Sequence, residues 1–132
     1  MDKRWVLTGE DVNKIVAAAK AEAAKHKLDA TIAVVDAGGH LLHLERPYTH
    51  RPNSVEMSTG KARTAALRAR PSSALETRAK ERPGFMMTPN CLPIRGGVPI
   101  FYNGEIVGGI GVSGIDVNDE PVAQAGADAI KE

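Results

Sequence analysis

After Thr8 the apolar positions Val12, Ile15, Val16, Ala19 and Ala23 recur every three or four residues, with charged residues between them. That spacing predicts an amphipathic helix over residues 9–27. Thr8 offers a capping hydroxyl, and Glu10 and Asp11 make an acidic first turn. The period then changes. Residues 32–35 are apolar without alternation, the pattern of a strand covered on both faces. Gly38-Gly39 signals a hairpin with a two-residue turn. The next strand sends Leu42, Leu44 and Arg46 to one face and Leu41, His43 and Glu45 to the other.

Two prolines set a loop over residues 47–53, PYTHRPN. Asn53 and Glu56 stand at capping-box spacing, so a second helix is predicted to start there. Its small residues Ser58, Gly60, Ala62, Ala65, Ala66 and Ala69 permit close approach to a sheet or to another helix. Pro71-Ser72 opens a third helix and Pro83-Gly84 ends it. Residues 84–97 form a long Pro- and Gly-bearing loop, of a length often tied to function. Val98 to Tyr102 and Glu105 to Ser113 pair around an Asn103-Gly104 turn. The acidic run after Asn118 opens a last helix.

Gly109, Gly111 and Gly114 spell G-x-G-x-x-G, the dinucleotide-binding pattern. A nucleotide fold places those glycines in a strand-to-helix turn, and here the match begins in mid-strand. The glycines are expected instead to leave strand surface bare for a helix or a flat ligand. Tight turns between the strands imply a mainly antiparallel sheet. Helices packed on it give an α+β sandwich, expected to be a single domain over residues 1–132.

Composition narrows the function classes. The net charge is +1 and no apolar run is long enough to span a membrane. No apolar signal core follows the N-terminal charges, so a cytoplasmic location is expected. Cys91 is the only cysteine, which excludes an internal disulfide and a thiolate cluster. His40 and His43 fall on opposite faces of a strand, and no metal-ligand spacing occurs. The segment 61–82 is basic, but the few aromatics and the near-neutral net charge point to a solvated helix face, not to a nucleic-acid partner.

The pieces AVVDAGGHLLHLER, KARTAA, GGVPI and GEIVGGIGVSG, followed by an acidic helix start, resemble the GlcG/HbpS family. This is the haem-degrading or DUF336 domain, which includes the C-terminal domain of PduO-type proteins. The resemblance covers nearly the whole chain. It implies a profilin-like sandwich, a central antiparallel sheet flanked by helices, that assembles into homo-oligomers. The small-residue face of the second helix is the contact expected to serve that assembly. For function it implies haem or corrinoid binding in some members.

The chain departs from the family in one place. Members commonly read like R-M-D-G-A after the second strand, where this chain reads ERPYTHRPNSVEMSTGKARTA. The segment carries His50 and Arg51, then Glu56 and Lys61, the equipment of a small-anion site with proton transfer. Arg46 follows Leu42 and Leu44 on a face expected to be buried, where its charge needs an anionic partner. That partner is a ligand carboxylate or a protein acid.

Two readings follow. In the first, preferred because the departure from the family is concentrated in polar, proton-active residues, the protein is an enzyme without a cofactor, acting on a small unsaturated carboxylate or dicarboxylate such as a muconate-like acid. Arg46, Arg51 and Arg95 would hold carboxylates and Gly97 and Gly109 would line the site. His50 or Glu56 would move protons, and Lys61 would stabilise developing enolate- or enamine-like charge. Tautomerisation, hydration and hydrolytic deamination all fit. In the second, the protein is a haem- or tetrapyrrole-binding module. Basic residues would meet propionates, the glycine strand would meet the ring, and His26 or His50 would ligate iron. Cys91 could be a nucleophile but lacks a near-sequence partner, and a packed small hydrophobe is the expectation.

Overall fold

The computed structural model describes residues 1–27, 29–114 and 119–131. It holds α1 (Gly9–Lys25), β1 (Thr31–Asp36), β2 (Leu41–Glu45), α2 (Ser54–Arg68), α3 (Ser72–Glu81), β3 (Gly97–Tyr102), β4 (Glu105–Ser113) and α4 (Asp119–Ala127). A short 3-10 turn, Pro83–Met87, follows α3. The strands form one antiparallel sheet in the order β2-β1-β4-β3. The architecture is α+β, as the strand patterning and tight turns predict.

Alternation within the central strands builds two unequal cores. Ile32 and Val34 of β1, with Ile110 and Val112 of β4, join Ile15 and Ala19 of α1 and Val122 of α4. Ala33 and Val35 face the other way, onto Ala62 and Ala66 of α2. Both faces of β1 are thus covered, which is why its sequence does not alternate.

The α1 start forms as its sequence dictates. Asp11 N–H donates to Thr8 Oγ1 at 3.2 Å, and Thr8 N–H donates to Asp11 Oδ2 at 2.8 Å. The Asn103-Gly104 turn also forms, with both residues at positive φ.

Two local expectations are corrected. The Gly38-Gly39 turn is wider than two residues. Asp36 Oδ1 accepts from the N–H groups of Gly38 and His40, both at 2.9 Å, and closes a longer loop on itself. At α2, Asn53 is already helical (φ −62°, ψ −18°) and makes no side-chain cap. The chain enters α2 through a preceding turn, with Ser54 N–H on Arg51 O, so the Asn53–Glu56 capping box does not form and Glu56 is exposed.

Small residues let α2 lie almost on the sheet. A Cβ on Gly109 would come within 2.5 Å of Ala62 O, and one on Gly111 would overlap Ser58 O. The bare glycine strand therefore receives a helix and not a flat ligand. Ser58, Ala62, Ala65 and Ala66 are buried there within this chain, so that face is not an inter-subunit contact.

The basic segment 61–82 does more than solvate a face. Arg68 donates to Thr88 Oγ1 at 2.6 Å and to Pro89 O at 2.8 Å, and Arg63 donates to Gly39 O at 2.9 Å. Arg68 and Arg78 both stack on Phe85. The Arg68 contacts hold the long loop after α3 against α2, and Arg63 ties α2 to the β1–β2 turn.

Candidate functional site

A cleft of about 650 Å³ opens where the loop before α2, the first turns of α2, the end of β4 and the start of α4 meet. His50, Arg51, Met57, Lys61, Ser113 and Asp119 are among its lining residues. It gathers three of the residues singled out from sequence: His50, Arg51 and Lys61.

His50 is half-buried on the cleft wall. Its Nδ1 lies 3.4 Å from Thr31 Oγ1. Gly114, at φ +112°, lies against the ring; a Cβ there would come within 2.7 Å of His50 Nδ1. The last glycine of the G-x-G-x-x-G run thus makes room for an imidazole. The loop bearing His50 is held from outside, because Arg46 Nη1 donates to His50 O at 2.7 Å.

Lys61 reaches down from α2 into the cleft floor. Only 2% of the residue is exposed, and Asp119 is 5% exposed. Lys61 Nζ donates to Val112 O at 2.9 Å and to Asp119 Oδ2 at 3.3 Å. The pair crosses from α2, on one face of the sheet, to the start of α4, which packs with α1 on the other. Ser73 and Glu120 make a second tie between these layers, at 3.0 Å. The α4 N-terminus favours carboxylates in its first turn, which suits Asp119 and Glu120.

A seam of hydroxyls runs beside the pair. Thr31 Oγ1 and Ser54 Oγ are 2.8 Å apart, Ser54 Oγ donates to Arg51 O at 2.7 Å, and Ser58 Oγ donates to Thr31 O at 2.9 Å.

The other residues proposed from sequence lie elsewhere. Arg46 is exposed, because β2 is an edge strand whose Leu42 and Leu44 stay 43% and 36% exposed. No buried charge there awaits an anion; the guanidinium serves the loop carbonyl. Arg95 is exposed and lies 3.9 Å from Glu76. Glu56 is exposed and outside the lining. Gly97 and Gly109 are buried against the α2 backbone, where a side chain would strike Lys61 O and Ala62 O, and they line no cleft surface. His26 Nε2 sits 3.3 Å from Glu22 at the end of α1, outside the cleft. Cys91 is half-buried in the loop before β3. Among the described residues no group of His, Cys, Asp or Glu could hold a metal ion, and no helix is long and apolar enough to cross a membrane.

Sequence reasoning missed Ser113, Asp119, Thr31 and Ser54 as site residues. Asp119 read only as a helix-opening acid. Ser113 read only as the end of a strand. Their roles depend on elements far apart in the chain, so no local spacing signals them.

Residues 7–128 match the family model described as haem degrading protein HbpS-like. Protein GlcG of Escherichia coli (strain K12) is 38% identical over 114 residues, 86% of this chain and 85% of GlcG. The crystal structure of HbpS matches with a TM-score of 0.90 and 34% identity, covering 100% of this chain and 95% of that one. A complex of PduOC with heme matches with a TM-score of 0.85 over 96% of each chain; at 23% identity that likeness is one of fold. The match over nearly the whole length, together with the 38% identity to GlcG, shows that this chain belongs to the HbpS-like family.

Proposed function

We propose that the cleft is a haem-binding site. The observation that carries this reading is the setting of His50. One ring nitrogen, Nδ1, is turned to Thr31, which leaves Nε2 for an iron ligand. The donor set fits the rest of a haem. Met57 and Ile94 offer apolar surface, and Arg51 offers a guanidinium at the rim for a propionate. Bound haem supplies a redox-active iron. This chain's residues would hold it through His50, pair its carboxylates and set its orientation. The family's description and the PduOC complex, which has the same fold, favour this ligand. The test is an absorbance titration with haemin of the wild-type protein and of His50→Ala.

A second reading is favoured by the buried Lys61–Asp119 pair on the same floor. In it a small unsaturated carboxylate is held by Arg51, His50 moves a proton, and Lys61 stabilises enolate- or enamine-like charge. Tautomerase, hydratase or hydrolytic deaminase chemistry would follow. A turnover screen of muconate and its 2-hydroxy and 2-amino derivatives tests it.

A further inference from the structure

We propose that Ser113 and Lys61 form a carboxylate-recognition subsite at the cleft floor. The inference rests on the reading of the cleft as a ligand site and names the group that the floor takes. Ser113 is only 5% exposed, and its Oγ has no hydrogen-bond partner among the described residues. A buried hydroxyl without a partner is costly and calls for an explanation.

Its surroundings sharpen the point. Thr31 stands directly opposite Ser113 across the β1–β4 ladder and shares its hydroxyl with Ser54. Ser58, one turn along α2, is bonded to Thr31 O. The fold satisfies these neighbouring hydroxyls and leaves Ser113 open, at a residue that lines the cleft.

Lys61 supplies a second donor beside it. The ammonium has three N–H groups, of which Val112 O and Asp119 take two. Val112 is the residue before Ser113, and Lys61 and Ser113 both line the cleft. Asp119 is the acidic group among the described residues here, and Lys61 neutralises it. Arg51 adds a positive charge at the rim, with no ion pair among the described residues, and α2 turns its positive end toward the same space. Two donors beside the Arg51 charge suit a carboxylate, whose oxygens accept from both.

A haem propionate and a free small carboxylate both bring this group, and the experiment separates them. Haemin, haemin dimethyl ester and cis,cis-muconate are titrated into wild-type protein and Ser113→Ala. Weakening of haemin by about tenfold in Ser113→Ala, with no change for the dimethyl ester, supports a propionate on the subsite. The same weakening confined to muconate supports a free carboxylate. If wild-type protein ignores haemin yet binds muconate through Ser113, the haem reading fails and the subsite stands. Unchanged affinity of Ser113→Ala for both carboxylates overturns the subsite, and so does a wild-type protein that binds neither. The variant also reports without ligand. Removing an unpartnered hydroxyl should leave Tm unchanged or raised, whereas a structural serine would lower it.

Discussion

Lys61 Nζ lies 3.3 Å from Asp119 Oδ2 although the two residues are 58 apart in the chain, and both side chains are almost wholly removed from water. The pair ties α2 to the start of α4 around the end of the sheet. Removing one partner of such a pair leaves the other charge buried and uncompensated. Lys61→Met should therefore cost about 3–5 kcal/mol in urea unfolding. Lys61→Met with Asp119→Asn should recover much of that loss. Additive losses in the double variant would show that the two groups do not act as a pair.

The Thr8–Asp11 capping box predicts a pH dependence. Hydrogen bonds from the Thr8 backbone and hydroxyl hold the Asp11 carboxyl below its ordinary value, and Lys14 assists. A carboxyl lowered in the folded state binds its proton more readily in the unfolded chain. Its contribution is thus complete above about pH 4 and is lost as pH falls through the lowered folded value. Thr8→Ala should cost about 0.5–2 kcal/mol at pH 7. The gap from wild type should close on acidification, and a gap that held constant below pH 4 would argue against the box as its source.

Gly111 and Gly109 predict a packing loss rather than a binding loss. A Cβ at either position meets the α2 backbone. Gly111→Ala should lower stability by at least about 1–3 kcal/mol, because a helix backbone cannot move aside cheaply. Retained Tm with weakened ligand binding would instead place this strand against a ligand.

Arg46 predicts the reverse. It is exposed and, among the described residues, bonds the His50 carbonyl. Arg46→Ala should change stability by less than about 1 kcal/mol and weaken ligand binding several-fold by loosening the loop under His50. A large stability loss with unchanged binding would make it a structural arginine.

The legible part of this fold was its periodicity. The 3.6-residue spacing of α1, the unbroken apolar run of β1 and the Asn103-Gly104 turn each follow from local chemistry and appear where they are expected. His50, Arg51 and Lys61 were legible as a cluster because they sit close in sequence, on one loop and the helix that follows it. Burial was less legible. Leu42, Leu44 and Arg46 carry the pattern of a covered face, yet β2 is at the sheet edge, and coverage depends on what packs over a strand. Glycine is ambiguous in the same way, since the bare surface at Gly97 and Gly109 would suit a helix or a ligand equally. Asp119 was invisible because its partner Lys61 comes from another layer, and Ser113 because its place in the cleft depends on elements far apart in the chain.

The central claim, that His50 anchors a haem in the cleft, is tested most directly by haemin titration of wild type, His50→Ala and His26→Ala. His26 is engaged by Glu22 outside the cleft and serves as the control. The expected result is a sharp one-to-one Soret band in wild type and His26→Ala, lost or shifted in His50→Ala while that variant keeps its wild-type Tm. An identical Soret band in folded His50→Ala, or none in wild type, would contradict it.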